Sequence, residues 1–442
     1  MLNSLWTDTA VLPSFPALDR DETTDVLIIG GGMAGILCAH HLKEAGVECL
    51  LLEADTIAGK TTAGTTAVIS AQHDTLYKNL IKKFGYTKAR LYLEANLQAV
   101  SSFRSLCEKI DCDFEDIPAC IYSCSNAALM EDEVKALHSL GYNARLLHEV
   151  PLPVPALAAV EFPMQAQFHP LKLIAALAEN LNIREHSRIQ AFGANEAFTE
   201  HFRIKAKKII VACHFPIWNT HGFYFMKLYQ KRSYILALKN AASISGSYVE
   251  YGSQGLYFRN YKDLLLVGGG DHRTGKKACQ YEMLRKYTHE QFSQAEEAYA
   301  WATQDCISLD GVPYIGPYSN ALPDMYVATG FNEWGMTSSM AAANILTDMV
   351  MGRENKYADV FSPSRSMMTK QLFCNIASSL MGLLTPSRNR CPHLGCALKW
   401  NPAEHTWDCP CHGSKFTKEG RLLYNPATGD LPRPPKNFIT PP

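Results

Sequence analysis

A mixed α/β fold, α+β when the whole chain is counted, is what this sequence predicts, and three stretches predict it. The first is a strand–turn–helix–strand pattern over 23–55. The second is helical spacing in 76–150 followed by β-rich runs in 217–300. The third is a dense group of cysteines and histidines in 391–412. The chain has 442 residues, enough for about three domains of roughly 150 residues. Hydrophobic content of 47% and charged content of 19% suit a globular protein with a real core. The net charge of −1 provides no overall attraction to nucleic acid or to an anionic membrane. The N-terminus lacks a basic start followed by a long apolar core, so it does not read as a secretory signal. Apolar-leaning stretches such as "IASSLMGLL" (376–384) fall well short of the roughly 18 residues a membrane span needs. The expectation is a cytoplasmic protein with no transmembrane segment and no nucleic-acid partner.

"DVLIIG" is a short apolar run suited to a strand buried on both faces. "GGGMAG" follows and supplies G-x-G-x-x-G at Gly30, Gly32 and Gly35, with Met33 and Ala34 between. Met33, Ile36, Leu37 and Leu42 then keep helical spacing up to Gly46, and "ECLLLEA" forms a second strand ending at Glu53 and Ala54. This is the βαβ setting that the glycine motif requires. Gly30 permits the tight turn, Gly32 lets the backbone approach a pyrophosphate, and Gly35 lets helix and strand pack closely. The helix N-terminus offers N–H groups to phosphate. Glu53 can accept from ribose hydroxyls, and its charge argues against a 2′-phosphate.

The far end of the same unit decides between dinucleotides. "DGVPYIGPYSNALPDMYVATGFNEWGMTSSMAAANILTDMVMG" (310–352) resembles the C-terminal flavin motif of the D-amino acid oxidase, sarcosine oxidase and glycine oxidase superfamily. The resemblance implies FAD, with Gly330, Phe331, Gly335, Met336 and Thr337 against the flavin. "KKIIVACHFP" (207–216), including Ala212, resembles that family's strand returning to the nucleotide domain. "RIQAF" (188–192), with Ile189, is placed at the adenine. One stretch departs from the pattern. The family's Ser-Gly-Arg-Asn-Gly-Gly-like segment reads "AGKTTAGTTAVIS" (58–70) here, so Thr61, Thr62, Thr65 and Thr66 are the candidate donors. Cys306 is out of register for a flavin tether, which implies non-covalent FAD. "LLLVGGGDHRTGK" (264–276) lacks the third glycine of a second dinucleotide site and reads as strand and turn.

In the resembled family the substrate domain comes from two separated insertions. Residues 76–150 read as mostly helical, and 150–163, punctuated by proline, as irregular. "YILALK", "GLYFRN" and "DLLLVGGG" read as strands, and "YEMLRKYTHEQFSQAEEAYAWAT" as a helix. The candidate substrate residues are Tyr251, Tyr257, Arg259, His272, Asn332 and Trp334. A mixed aromatic and polar pocket of this kind suits a small amine.

In the tail, Cys391-x-His393 is followed after 15 residues by Cys409-x-x-His412. A zinc ribbon would use two Cys-x-x-Cys knuckles, and neither cysteine pair has that spacing. The arrangement resembles the Rieske domain, in which two thiolates hold one iron of a [2Fe–2S] cluster and two imidazoles hold the other. Cys391 and Cys409 would be the thiolates, and His393 and His412 the imidazoles. In the cytochrome-complex branch of that family two further cysteines form a disulfide between the cluster loops, which implies a Cys396–Cys411 bond here. Ser414 matches a family hydrogen-bond donor to the cluster. Phe416 stands where high-potential members carry a second donor, Tyr, which implies a lower potential.

The expected organisation is a Rossmann-like FAD-binding domain (1–75, 164–216 and 301–355) with an inserted antiparallel-sheet substrate domain (76–163 and 217–300). A helical docking segment (356–387) and a small Rieske [2Fe–2S] domain (388–442) complete it. Together the cofactors imply oxidation of an amine or amino acid at FAD, with single electrons leaving through the cluster's exposed histidine edge to a redox partner. Two other readings stay open. A partner could feed the cluster so that FAD reduces a substrate, or the protein could be a redox sensor or electron-transfer module without turnover.

Overall fold

The computed structural model describes residues 4–252, 255–276 and 280–432. Three sheets organise these residues. The first runs Tyr314–Ser319, Leu322–Thr329, Arg203–Val211, Glu22–Ile29, Cys49–Leu52, Ile183–Arg184 in spatial order. All its pairings along this order are parallel except the first, a hairpin. Side chains of Glu22–Ile29 alternate between two cores. Val26 and Ile28 join one, while Leu27 and Ile29 join the other. This double burial explains the uninterrupted apolar run in the sequence. The helices Met33–Glu44 and Gly335–Val350 share the Val26 side, where Ile36, Leu37, Met340 and Ile345 are fully buried.

The second sheet runs Glu296–Ser308, Leu228–Lys239, Leu264–Arg273, Tyr257–Tyr261, Ser247–Glu250, Glu115–Ser123, Ala158–Gln167, Val68–Ile69. It is antiparallel apart from one parallel pair in the middle, Ser247–Glu250 with Glu115–Ser123. Two sequence expectations change here. Residues 150–163 are not irregular throughout, because a strand begins at Ala158. The helix expected over 281–303 ends at Gln291, and Glu296–Ser308 is a strand. Tyr299, Trp301, Thr303 and Asp305 recur there at the strand period of two. Consequently the domain boundaries expected at 163/164 and 300/301 both fall inside strands of this sheet. The Glu115–Ser123 strand also interrupts the helical segment, which comprises Tyr77–Cys107 and Ala127–Ser139.

The third sheet is a four-stranded antiparallel meander, Lys399–Asn401, Thr406–Asp408, Lys415–Thr417, Leu422–Tyr424. Its core is built from Trp407, Phe416, Leu398 and the four tail cysteines. Helix Lys370–Leu384 leads into it. Among the described residues, no helix is long and apolar enough to cross a membrane.

Candidate functional site

A cavity of about 950 Å³ runs between the first two sheets. At one end lie Gly30, Gly32, Met33, Ala34, Glu53, Ala54 and Ile189. Gly30 sits at φ +111, and a Cβ there would lie 2.6 Å from the Ala212 carbonyl oxygen. Only glycine takes this conformation and this approach without strain. Gly35 does not line the cavity. A Cβ on it would fall 1.8 Å from the Gly30 oxygen, which is the helix–strand contact expected of the third glycine. Glu53 accepts from the N–H groups of Gly31 (2.8 Å) and Asp55 (2.9 Å). Burial nevertheless pushes its carboxyl above the ordinary range.

The threonine loop closes over this end. Thr61, Thr62, Thr65 and Thr66 all line the cavity. Thr62 Oγ1 accepts from Met33 N (3.1 Å), and Thr61 Oγ1 donates to the Gln304 carbonyl (3.0 Å). The Gly330, Phe331, Gly335 and Met336 turn also borders the cavity, and Ala212 lines it beside Gly30. Thr337 does not reach the cavity, because its hydroxyl is exchanged with the Ser70 backbone at 2.8 and 2.9 Å. The glycine cradle, the carboxylate at the second strand and a cavity of this volume fit FAD.

Four of the six candidate substrate residues line the cavity: Tyr251, Tyr257, Arg259 and Trp334. His272 does not. It stacks on Tyr234 and contacts the Gly270 carbonyl, because the register shifts between Arg232 and Tyr234 opposite the glycine run. Asn332 turns inward too, at φ +55, where its Oδ1 accepts from Ser308 N and Oγ. Arg259 is 1% exposed. It donates from Nη1 to the Ala67 carbonyl (2.8 Å) and its guanidinium lies near the Trp6 and Tyr261 rings, while Nε and Nη2 have no hydrogen-bond partner. Unpaired guanidinium N–H groups beside a cavity are costly unless a ligand meets them.

Sequence reading missed a polar group on three neighbouring strands and two turns beside them. Lys231, Asp271, Asp305, Glu333 and Asp74 all face the cavity. Lys231 pairs with Glu333 (3.3 Å) and Asp271 (3.8 Å). Burial, with Glu333 adding, raises Asp305 to about 7 and Asp74 to about 6. No local motif marks these residues, since Lys231, Asp271 and Asp305 come together only through the pairing of distant strands and Asp74 and Glu333 reach them from separate turns.

The tail builds a second site. Cys391 and Cys409 are 2% and 1% exposed and share a hydrogen bond between their thiols. That bond, with the backbone N–H groups of the 411–413 loop, pulls Cys409 down to about 7 and raises Cys391. The His393 and His412 rings lie 4.9 Å apart at 87°. Each Nδ1 is buried without a partner. His393 Nε2 meets Asn219 Oδ1 at 2.9 Å, which leaves Nδ1 as the acceptor. Cys396, Cys409 and Cys411 have sulfurs within 4.8 Å of one another, but Cys396 and Cys411 are joined as a disulfide. Two thiols and two free Nδ1 atoms remain, a set that fits a Rieske [2Fe–2S] cluster.

The histidine edge, expected from sequence to be open to solvent, packs against the 215–219 loop of the flavin side, with His393 half-buried and His412 buried. His412 is 1% exposed. The Phe215 ring lies 6.2 Å from both histidine rings, and Cys213 and His214 just before it line the cavity. A polar lattice fixes this docking. Gln230 donates to the His412 (2.7 Å) and Asn425 (3.1 Å) carbonyls, and Gln304 donates to Gly413 O (2.8 Å). Asn425 donates to the Cys213 (2.6 Å) and Phe215 (2.8 Å) carbonyls. Arg232 forms a bidentate pair with Glu404, which Lys415 also meets at 3.2 Å. Burial opposes that carboxylate, but Arg232 and Lys415 outweigh it and hold Glu404 near 2. Strand alternation makes this possible. Lys231, Ser233, Thr303 and Asp305 face the cavity, while Gln230, Arg232 and Gln304 contact the cluster domain.

Comparison with known proteins gives the family of each part. The family described as FAD dependent oxidoreductase matches residues 25–349, and the Rieske [2Fe-2S] domain matches 373–435. YhfW of Bacillus subtilis (strain 168), named as a Rieske 2Fe-2S iron-sulfur protein, is 34% identical over 490 residues, covering 96% of each chain. The chloroplastic cytochrome b6-f complex iron-sulfur subunit of Oryza sativa subsp. japonica is 51% identical over 37 residues, 8% of this chain and 16% of that one. Among solved structures, glycine oxidase from Geobacillus kaustophilus has a TM-score of 0.66 at 17% identity, covering 78% of this chain and all of that one. L-proline dehydrogenase from P. horikoshii has the same TM-score at 16% identity, covering 78% and 98%. At such identities the structural likeness speaks for the fold.

Proposed function

Because this chain belongs to the FAD-dependent oxidoreductase family and ends in a Rieske [2Fe–2S] domain, we propose that it oxidises the C–N bond of a small amino acid or amine and releases the electrons singly through its own cluster. When bound, FAD supplies the two-electron acceptor and the cluster a one-electron carrier. The observation that carries this reading is the docked histidine edge, with Phe215 touching both rings beside the cavity wall.

The residues of the cavity have separate tasks in this reading. The unpaired Nε and Nη2 of Arg259 hold a substrate carboxylate, so an amino acid is favoured over a simple amine. An amine reaches the cavity as an ammonium ion and must lose a proton before it can give up hydride. Asp305, raised to about 7, is matched to accept that proton near neutral pH. Tyr257 and Trp334 supply flat apolar walls, and Leu422 to Asn425 of the cluster domain cover the cavity from the far side. Cys306 lines the cavity, but burial holds its thiol far above the ordinary range, which suits non-covalent FAD.

The reading is tested by anaerobic addition of amino acids and amines, following flavin absorbance and then the cluster's EPR signal. Bleaching of the flavin followed by cluster reduction supports it. If no such compound bleaches the flavin while an external reductant reduces the cluster first, the direction of flow is reversed.

A further inference from the structure

Helix Lys370–Leu384 packs one side on the cluster loops and on Met226 and Arg273, and its exposed face is unusual. One side of this helix is packed. Leu372, Asn375 and Gly382 are buried, and a Cβ on Gly382 would lie 2.4 Å from the Cys411 sulfur. The opposite side carries Phe373, Ala377, Leu380, Met381 and Leu384, an i, i+4, i+7, i+8, i+11 stripe. These are not marginally exposed: Phe373 is 59%, Met381 71% and Leu384 81% open, with Met368 just before the helix at 73%. Contiguous apolar exposure on this scale marks a contact surface.

Charge identifies the occupant. From Val360 to Ala403 the chain has no Asp or Glu, although its net charge is −1 overall. Lys370, Arg388, Arg390 and Lys399 in this segment are all exposed. A second copy docked about a two-fold axis would bring the same cations face to face. A protruding apolar stripe flanked by basic residues, on a helix too short and polar to span, instead matches the interfacial position on an anionic bilayer. We propose that helix Lys370–Leu384 seats this protein on anionic membrane surfaces, with the Cys396–Cys411 staple on its inner side. The cluster loops then lie about one helix diameter, roughly 10 Å, from the lipid headgroups. The inference does not depend on which way electrons flow.

The test is sedimentation of the holoprotein with vesicles of phosphatidylglycerol and phosphatidylcholine, beside vesicles of phosphatidylcholine alone. Binding to the anionic vesicles is expected to be about tenfold or more tighter and to weaken with salt. The doubly substituted Leu380→Ser, Leu384→Ser protein should lose about tenfold or more of that binding. Lys370→Glu with Arg388→Glu, which leaves the apolar stripe intact, should lose it too. Unchanged flavin and cluster absorbance in each variant reports an intact fold. Absence of vesicle binding overturns the proposal, as does binding that the serine pair leaves unchanged or that ignores lipid charge. Light scattering that shows a dimer abolished by the serine pair, with no vesicle binding, assigns the face to a second copy and likewise overturns it.

Discussion

The flavin cavity and the cluster pocket hold their groups by different means. The cavity depends on backbone shape: Gly30 at φ +111, the approach of Ala212, and N–H groups at a helix start. The cluster pocket depends on four side chains in two short loops, fixed by a disulfide and by hydrogen bonds to neighbouring strands. A backbone cradle fails when a side chain is added to it. A ligand set fails when a side chain is taken away. The two sites are therefore separable by substitution, even though they lie within one packed body.

The largest expected effects split the sites cleanly. Gly30→Val should abolish flavin binding, because its side chain meets the Ala212 carbonyl, while the cluster spectrum persists. Cys409→Ser should abolish the cluster while flavin absorbance persists. If either substitution removes both chromophores, the sites are one folding unit and the separation is wrong.

Next in size is the link between the sites. Arg232→Met leaves Glu404 and its neighbours buried with half their counter-charge. Breaking such a buried pair typically costs about 3–5 kcal/mol. Thermal unfolding followed at the cluster absorbance should therefore shift well below that of the parent. The account also predicts slower cluster reduction by the flavin, because the docked histidine edge loses its support.

Arg259→Met should raise KM for a carboxylate-bearing substrate by about 100-fold or more, with a much smaller effect on an amine lacking that carboxylate. Equal effects on both would give Arg259 a purely structural role. Phe416→Tyr is the mildest change. Phe416 is fully buried in the cluster domain's core, and a hydroxyl there that reaches the cluster should raise its potential. A redox titration showing an unchanged or lower potential would rule out a missing donor as the cause.

These sites were legible in the sequence to different degrees, for a physical reason. The glycine motif and the Cys-x-His and Cys-x-x-His pairs are local, so their spacing carries their geometry. Residues brought together by strand pairing are not. His272 was expected in the cavity, but a register shift beside Gly269 and Gly270 turns it to the other face, and one slipped residue inverts a strand's whole pattern. Lys231 and Asp305 face the cavity and Gln230 and Gln304 face the cluster domain, yet nothing in their own segments distinguishes the two sets. The docking of the histidine edge follows from the second set, so it too was invisible before the fold.

The central claim is that the cluster takes electrons from the flavin of its own chain. It is tested most directly by photoreducing the flavin of the anaerobic holoprotein and following cluster reduction by EPR at several protein concentrations. The account predicts a first-order rate that does not change with dilution. A rate that falls in proportion to protein concentration, or a cluster that stays oxidised beside a fully reduced flavin, would contradict it.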